Sequence, residues 1–598
     1  MALMSPGIEV KEKDFSLIAP NVSSGVGGMV GRFTKGPIEV PVLVSSENDL
    51  VSIFGEPNNI NANDWHTVAE FLRYTNSCWV VRSANTGILN ATSTATGFAV
   101  KNRDDYEGLL AANFTTIGEI AAKDSGTSGN GLGVIIVDSA TWTAFLTWNT
   151  ANLSKFPGQV SLANNFQTIP GTSAYMASKV TDGIARNDEV HVLVLDVTGV
   201  RTGIPYTVLA KYEGLSKASD AVDYRGLSIY YPNVLNEADN YVWWSKHPVQ
   251  TAAVNDVAIG STAFDAAVTL KVFAQISIVA APNFFITTLS GGVTGTSSTV
   301  AEIKTAYDKL ANKDLYNVNL VMTGAFSVGT TGEIEKYVLE SIAHARKDCV
   351  AFVSPHTTGA PIRDSATAIT QIAAFKTSVG VSDSVASYGF MDSGMKYVYD
   401  RYSKRYRWIP LNGDMAGLCA RTDATNDPWW SPGGYNRGGV KNVIKLAHNP
   451  NLAQRDFLYP KGINPVIIDP ASGPTLLGDR TMTAKPSAFD RINVRRLFIV
   501  LEKSISTAAK WQLFEFNDPF TRAQFKNMVE PFLRGIQGRR GITDFLVKCD
   551  AINNTGDIID RNEFVAEIFV KPARSINFIT LSFVATRTDV SFSQVVGG

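Results

Sequence analysis

Two glycine-rich stretches of this chain look at first like phosphate-binding loops. Residues 23–31 have the sequence SSGVGGMVG, and residues 126–133 have the sequence GTSGNGLG. Neither has the G-x-G-x-x-G spacing, and the second precedes a strand-like run, whereas a dinucleotide site needs strand, loop and then helix. The sequence also contains no Gly-Lys dipeptide and therefore no Walker A loop. Both stretches are predicted to form turns.

The histidines and carboxylates lack the spacing that metal or acid–base catalysis needs. None of the six histidines has H-E-x-x-H or zinc-finger spacing, and no G-x-S-x-G sequence occurs. Asp104 and Asp105 are adjacent, but nothing around them supplies a metal or sugar-binding framework, so a solvated loop is favoured. These patterns predict no catalytic residue, no cofactor and no metal ion. The chain is predicted not to be an enzyme.

Two Trp-Trp pairs, at residues 243–244 and 429–430, could stack sugars or nucleic-acid bases. The second pair lies between Asp427-Pro428 and the sequence SPGG, which together make a rigid loop. This setting favours a bulky anchor that packs at a domain or subunit contact.

Four segments in the second half carry apolar residues at helical spacing. One follows a capping-box pattern that begins at Thr299, and a second is predicted to have Thr331 as its cap. A third opens at Ser487, and a fourth follows Pro519. Pro531 is predicted to bend or end the fourth helix, because proline lacks the amide donor and crowds the preceding turn.

Strand-like apolar runs occur at residues 134–138, 190–195 and 564–570. The mixture of these runs with the helical segments indicates α+β domains and not a doubly wound α/β enzyme.

The C-terminal end has the pattern of a half-buried strand. Ile576, Phe578, Leu581 and Phe583 alternate with polar residues, and the alternation slips once at residues 578–579, which predicts a bulge. This strand has no following partner strand in the sequence.

The N-terminal end carries a shorter alternating segment after a turn. Ile8 and Val10 flank Glu9 within the sequence SPGIEVKE. A chain with a strand-forming segment at each end can pair them internally or add one to the sheet edge of a neighbouring copy. We expect the second arrangement, in which Ile8, Glu9, Val10 and residues 576–584 are exchanged between subunits. Such exchange produces polymers.

Composition sets further limits. A chain of 598 residues predicts several domains. No segment reaches the ~18 uninterrupted apolar residues of a membrane span, and the N-terminus lacks the pattern of a secretory signal. The four cysteines are widely scattered, which favours reduced, buried thiols in a protein made in the cytoplasm.

The formal net charge of −1 hides an asymmetry. Residues 401–598 contain 27 Lys and Arg against 18 Asp and Glu, a net charge of +9, so the first 400 residues carry −10. The basic residues are dispersed and not concentrated in runs, so nucleic-acid binding is not expected. A basic domain that faces an acidic protein surface explains the asymmetry as well.

Several segments together carry a resemblance to a known family. They are residues 5–12 (SPGIEVKE), 406–411 (YRWIPL), 416–423 (AGLCARTD), 431–438 (SPGGYNRG), 486–498 (PSAFDRINVRRLF), 513–517 (LFEFN), 559–566 (IDRNEFVA) and 571–586 (KPARSINFITLSFVAT). The chain resembles the tail sheath protein of contractile, T-even-type bacteriophage tails, the myovirus tail sheath family. The resemblance is nearly uninterrupted from about residue 388 to residue 597 and patchier from 30 to 350. Within it, the aromatic and basic stretch 397–408, which otherwise resembles a single-strand nucleic-acid platform, is interpreted as a pair of strands.

The resemblance implies a structural subunit. Such subunits stack as hexameric rings around a tail tube in a metastable extended state, and they contract to drive the tube through the host envelope. The implied partners are other copies of the chain, the tail tube protein, and the baseplate and tail terminator proteins. The implied location is the virion tail, assembled in the bacterial cytoplasm. The alternatives are a tail-associated glycan depolymerase and another virion subunit, of the tube or capsid. A depolymerase is disfavoured because long repetitive β-helical sequence and a carboxylate cluster are both missing from the sequence.

The resemblance also divides the chain into an N-terminal arm (residues 1–22), outer and middle domains (23–350), a middle-to-inner domain (351–485) and an inner, tube-facing domain (486–598). T-even-type sheaths carry a large additional outer domain. The corresponding interval here, residues 85–125, is short, so that domain is predicted to be missing or reduced to a loop and one helix. The implied fold is multidomain α+β, with outer β-rich or mixed domains. Its inner α+β domain is completed by N- and C-terminal strands exchanged between subunits.

An equivalent of the helix after Pro519 attaches the sheath to the tube in the family. Its apolar stripe here is Phe525, Met528, Val529 and Phe532. Arg522 and Lys526 are four residues apart and are expected to lie together on the exposed side. The resemblance therefore implies that Arg522, Lys526 and Arg534 contact acidic groups on the tube.

Overall fold

The computed structural model describes residues 23–179, 186–248, 284–295 and 297–577, with the backbone alone for residues 110–115. Its strands in this part of the chain are β1 Gly27–Gly31, β2 Pro41–Val44, β3 Cys78–Arg82, β4 Asn90–Thr92, β5 Ile120–Ser125, β6 Leu132–Asp138, β7 Glu189–Asp196, β8 Thr207–Ser216, β9 Val242–Trp244, β10 Phe285–Thr288, β11 Leu320–Met322, β12 Val350–Val353, β13 Gly389–Met391, β14 Met395–Asp400, β15 Arg405–Pro410, β16 Lys445–Leu446, β17 Val466–Asp469, β18 Gly473–Leu476, β19 Ile542–Lys548 and β20 Glu567–Pro572.

The α-helices of the same residues are α1 Glu47–Phe54, α2 Ala62–Leu72, α3 Arg103–Ile117, α4 Trp142–Ala151, α5 Ala174–Lys179, α6 Tyr231–Glu237, α7 Val300–Asp308, α8 Glu333–Tyr337, α9 Ala368–Val379, α10 Asp383–Ala386, α11 Asn412–Thr425, α12 Leu452–Leu458, α13 Ile492–Ala509, α14 Pro519–Gly538 and α15 Gly556–Asp560. Short 3₁₀ turns lie at Thr127–Gly129, Leu153–Lys155, Pro157–Gln159, Leu162–Asn165, Tyr459–Lys461 and Lys510–Gln512. The expected multi-sheet α+β character is confirmed.

The largest sheet has six strands in the order β13-β12-β11-β1-β3-β2. Five of them are parallel, and β2 is an antiparallel edge. Helices α2, α7 and α11 contact its strands, and the largest hydrophobic cluster of the described chain is built around it. A parallel sheet was not predicted from the sequence, because its pairings join strands far apart in the chain.

The central strand β1 lies in the glycine-rich stretch that was predicted to be a turn, so that prediction was wrong. A Cβ atom at Gly27 would lie 2.4 Å from the ring of Phe71, and one at Gly28 would lie 2.7 Å from Val318. These glycines therefore allow neighbouring side chains to approach the middle of the sheet closely. Because both faces of β1 are buried, its sequence has no polar alternation to identify it.

Between β3 and β11 the chain leaves the central sheet and builds two further sheets, β4-β5-β9 and the antiparallel sheet β10-β6-β7-β8. The predicted strands at residues 134–138 and 190–195 are confirmed as parts of β6 and β7. The interval 85–125 contains the single helix α3 and the strands β4 and β5. The buried guanidinium of Arg82 donates to the carbonyl oxygens of Gly36 (2.8 Å) and Ser125 (3.1 Å), which ties this region to the central sheet.

The observed N-caps of two predicted helices can be compared with the capping residues that the sequence indicates. The capping box at Thr299 is confirmed, with reciprocal hydrogen bonds between Thr299 and Glu302. The second helix has Gly332 at its N-cap in place of Thr331, and it continues as a π-helical segment, Val338–His344.

The structure gives the bounds of the last two predicted helices. Helix α13 begins at Ile492, because the residues after Ser487 form a turn in which the Ser487 hydroxyl accepts from the Phe489 amide (3.1 Å). Helix α14 continues through Pro531 to Gly538, so Pro531 does not end it. Val529 and Leu533 are fully buried on either side of the proline, and their packing offsets the ~3 kcal/mol that an internal proline costs.

The strand expected at residues 564–570 starts later, at Glu567. The Asn554 side chain accepts from the amide of Val565 (2.9 Å) and donates to its carbonyl oxygen (2.8 Å). These bonds hold residue 565 in a loop.

All four cysteines are buried and unbridged, as expected. Among the described residues no helix is both long and apolar enough to span a membrane.

Asp392, directly after β13, is a buried carboxyl group with a strongly perturbed pKa. Its two carboxyl oxygens accept hydrogen bonds from the Ser354 hydroxyl (2.6 Å) and the Gly394 amide (2.8 Å). Burial raises the pKa of Asp392 to about 8, and the nearby Asp414 adds to the rise. The folded protein therefore keeps a proton that the unfolded chain loses near its ordinary pKa of 3.8. This contribution to stability is complete below about pH 4 and is lost as the pH rises toward 8.

We expect Asp392→Asn to remove this pH dependence. Relative to the variant, the native protein should lose up to about 1.4 kcal/mol of stability per pH unit between pH 5 and 8. Thermal unfolding midpoints at pH 5, 6.5 and 8 measure the effect. Asp314→Asn, at an exposed carboxylate, should keep the native slope. Parallel slopes for Asp392→Asn and the native protein would show that Asp392 is ionised in the fold.

Candidate assembly interface

Strands β19 and β20 form a two-stranded antiparallel sheet with open edges. Within the described chain they pair with each other and with no other strand. One face packs on α14 through Val547, Ile568 and Val570. On the other face the cross-strand pair Leu546 and Phe569 is 59% and 53% exposed. A two-stranded sheet is marginal by itself, and open edges with apolar side chains are where further strands add.

The C-terminal segment leaves this sheet close to the protein body. The Ser575 hydroxyl donates to Asp479 (2.6 Å), and the Asn577 amide donates to Asp479 (3.0 Å) and to the Tyr459 hydroxyl (3.0 Å). Arg491 donates to the same carboxylate (3.2 Å). Ile576 is exposed and not in a strand at this point. Phe578, Leu581 and Phe583 lie outside the described residues, so the structure describes the root of the predicted exchanged strand and not the strand.

The described residues next to the N-terminal arm make a comparable contact. Ile8, Glu9 and Val10 lie outside the described residues. The Ser24 hydroxyl donates to Asp423 (2.7 Å), and the buried Arg496 of α13 forms an ion pair with the same carboxylate. The described residues next to each terminal segment thus contact the aspartate of an Asp–Arg pair.

Helix α14 presents the predicted apolar stripe to the core. Phe525, Met528 and Val529 are buried, and Phe532 is half-buried. Asp518 caps the helix by accepting from the Thr521 amide (2.7 Å).

Arg522, which was expected on the exposed side, is buried, so that expectation was wrong. Its guanidinium donates to the side-chain oxygen of Asn517 (2.7 Å) and to the Asn517 carbonyl (3.0 Å). Helical spacing placed Arg522 with Lys526, but in the first turn the long side chain bends back onto the preceding loop. Its charge is used to hold that loop.

The exposed face of α14 carries a short charge ladder. Lys526 and Arg534 each lie 3.6 Å from Glu530, one helical turn away in either direction. Their side chains are 45% and 72% exposed. Glu530 was not predicted to belong to this face, although its i,i+4 spacing to both basic residues is visible in the sequence. It halves the net positive charge of this face.

The tryptophan at 429 is the anchor that the sequence suggested. It is buried with residues of α13, α14 and β19, and its indole NH donates to the carbonyl oxygen of Arg539 (3.1 Å). Arg539 also stacks over the ring at 4.8 Å and forms a 2.6 Å ion pair with Asp427.

The stretch 397–408 is a pair of strands, β14 and β15, as expected.

The residues considered for chemistry do not converge on a site. Asp105 accepts from the amide of Lys101 (2.8 Å) at the start of α3. His356 lies beside Glu335 (3.0 Å), and His448 beside Asp364 (2.7 Å), each as a separate pair. The described part of the chain contains no group of three or more His, Cys, Asp or Glu residues that could hold a metal ion.

Comparison with known proteins agrees with this architecture. Residues 296–482 match the phage tail sheath protein central domain, and residues 484–586 match the phage tail sheath C-terminal domain. The chain is 34% identical to the tail sheath protein of Vibrio phage KVP40 and 32% identical to that of Enterobacteria phage T4, in each case over all of both proteins. A sheath tail protein from Listeria innocua shares the fold, with a TM-score of 0.51 and 11% identity over 93% of this chain and 98% of the other. The chain belongs to the phage tail sheath family.

Proposed function

We propose that this chain is the sheath subunit of a contractile phage tail. Copies stack as hexameric rings around the tail tube in a metastable extended state, and contraction drives the tube through the host envelope. The observation that carries the proposal is the open two-stranded sheet β19–β20 in a chain that matches a tail sheath protein over that protein's whole length. The partners are other copies, the tail tube protein, and the baseplate and tail terminator proteins, and the chain is assembled into virions in the bacterial cytoplasm.

Strand exchange explains how subunits can move while they stay connected. Ile8 and Val10 of one neighbour and residues 576–584 of another complete the β19–β20 sheet. Backbone hydrogen bonds in such a sheet survive rotation of a subunit when the connecting segments bend. The Asp–Arg pairs at Asp423 and Asp479 hold the start of each terminal segment on the subunit to which it belongs.

Contraction needs no nucleotide in this mechanism, because the energy is stored in the packing of the extended polymer and released by a local trigger. The contacts with the tube must then be weak individually. Exposed ion pairs contribute ~0–1 kcal/mol each, and repetition over many subunits makes them sufficient.

Charge reversal on the exposed face of α14 tests the tube contact. We expect Lys526→Glu/Arg534→Glu to impair assembly of extended sheaths on purified tubes, since the face becomes acidic. Self-assembly into contracted-like cylinders should be unchanged. Sedimentation with tubes and negative-stain microscopy measure both outcomes at low and physiological salt.

A matched reversal separates this face from general charge effects. Lys309→Glu/Lys313→Glu reverses the charge of two exposed lysines just beyond the end of α7 and should leave assembly on tubes unchanged. Normal assembly of the α14 variant on tubes at both salt concentrations would exclude this face as the attachment element. Arg522 is replaced by Arg534 in the tested pair because Arg522 is buried.

The morphology of the purified protein tests the function as a whole. A sheath subunit should form long hollow cylinders. Discrete trimers that cleave a surface glycan would instead establish a depolymerase. A tube or capsid subunit would form no helical array around a second protein.

A further inference from the structure

The loop between α13 and α14 exposes an unusual amount of apolar surface. Five large apolar side chains within ten residues are 65–104% exposed: Trp511, Leu513, Phe514, Phe516 and Phe520. We call residues 511–520 the aromatic knob. An aromatic side chain offers ~150–250 Å² of surface, whereas the largest apolar patch on a typical monomer is ~300–600 Å². The knob therefore exposes more apolar surface than a monomer ordinarily leaves in contact with water.

The knob has a defined conformation. Asn517 accepts from the buried Arg522 (2.7 Å) and donates to Asn554 (3.1 Å) and to the carbonyl of Glu563 (2.7 Å). Phe514 has φ +72°, a left-handed conformation that costs a non-glycine residue roughly 1–2 kcal/mol. The loop is therefore held with Phe514 pointing away from its own core.

A groove on the same chain has complementary properties. It has a volume of 1210 Å³ and lies between the loop that carries Trp430 and Tyr435, helix α12, the start of β19 and the C-terminal residues 573–577. Arg437 and Arg540 stand 5.1 and 5.6 Å from the ring of Trp430. Leu452, which is 65% exposed, adds apolar surface to the wall. The groove combines aromatic surface with guanidinium groups, and the knob combines aromatic side chains with the exposed carboxylate of Glu515.

The knob cannot reach the groove of its own chain. It lies at the N-terminal end of α14, whereas Gln537 and Arg540, which line the groove, lie at and just beyond the other end. A helix of 20 residues is about 30 Å long. A knob that fills this groove therefore has to come from another copy.

We propose that the aromatic knob of one subunit inserts into the groove of a second copy in the assembled sheath. This inference rests on the proposed function and names one contact by which copies meet. Because knob and groove are different surfaces, the contact is head-to-tail, and repetition of such a contact builds rings or helical arrays. Glu515 meets Arg437 and Arg540, and Phe514 packs against Trp430.

Cross-linking of full-length protein tests the contact. Phe514→Cys and Tyr435→Cys are introduced together, and assembled protein is treated with a short bis-maleimide; the four native cysteines are buried. We expect a ladder of covalent oligomers on denaturing gels. Tyr224→Cys, at a tyrosine that is 94% exposed in a turn between β8 and α6, replaces Phe514→Cys in the control and should give at least tenfold less product.

A second variant separates assembly from folding. Phe514→Gly removes the side chain and relieves the left-handed backbone, so it should unfold at the same temperature as the native protein or higher. Its yield of cylinders should fall at least tenfold, while Tyr224→Ser should leave the yield unchanged.

The outcomes are distinct. Suppose that the native protein and Phe514→Gly form cylinders equally well, and that the double cysteine variant gives no cross-link between positions 514 and 435. The knob contact is then overturned, and the proposed function stands. Cross-linking of position 514 to the tube protein alone would also overturn it. Native protein that never polymerises would overturn both the knob contact and the proposed function.

Discussion

Deletion of residues 1–12 is expected to leave a soluble, folded subunit that no longer forms long sheaths. The β19–β20 sheet has two open edges in the described chain and an exposed Leu546–Phe569 pair. In the proposed assembly, loss of the neighbours' N-terminal arms leaves these sheets incomplete and removes the tether between subunits. The described body begins at an independent anchor, Ser24 on Asp423, so its folding does not need the deleted residues. Negative-stain microscopy of cylinder length and a thermal unfolding scan measure the two parts of the prediction.

Point variants sharpen the same experiment. In a strand, the alternating sequence would place Ile8 and Val10 on one face and Lys11 on the other. Ile8→Ser/Val10→Ser should reproduce much of the assembly defect, whereas Lys11→Ser should assemble normally. Cylinders of native length from the deletion variant would rule out the N-terminal strand as the tether.

Replacement of Lys396 by methionine is expected to destabilise the central part of the protein by ~3–5 kcal/mol at neutral pH. Lys396 is fully buried, and its ammonium lies 3.0 Å from Glu70 of α2 and 2.8 Å from Asp414 of α11. It also donates to the carbonyl oxygen of Lys441 (2.9 Å). Methionine would leave the buried Asp414 without a cation and would leave Glu70 with only the partly exposed Arg73, 3.0 Å away. Urea unfolding followed by tryptophan fluorescence measures the loss.

The destabilisation should be smaller at low pH. Burial already raises the pKa of Asp414 against the opposing effect of Lys396, so the Lys396→Met protein can take up protons as the pH falls. A variant that also carries Glu70→Gln and Asp414→Asn should recover part of the loss at pH 8. Lys309→Met, at an exposed lysine, is the control. An equal loss for Lys309→Met and Lys396→Met would show that the buried cluster contributes nothing specific.

Features with a local chemical signature were predictable from the residues. The capping box at Thr299 needs two side chains three residues apart, and the stripe of α14 needs apolar residues at helical spacing. The segments at both ends and after residue 388 were enough to indicate the family that full-length comparison confirms.

Features that depend on distant partners were not predictable. Strand β1 lies between β3 and β11, and β11 is almost 300 residues away in the chain. A glycine-rich strand buried on both faces has no alternation to reveal it. Arg522 is four residues from Lys526, yet it is buried because Asn517 accepts its hydrogen bonds.

Local hydrogen bonding and side-chain periodicity determine where most helices and strands form, because these interactions reach only a few residues along the chain. Which strands pair, which charges are buried and which apolar side chains stay exposed depend on packing between segments far apart in sequence. The tertiary structure therefore decided the parallel order of the central sheet, the open edges of β19–β20 and the exposure of the aromatic knob.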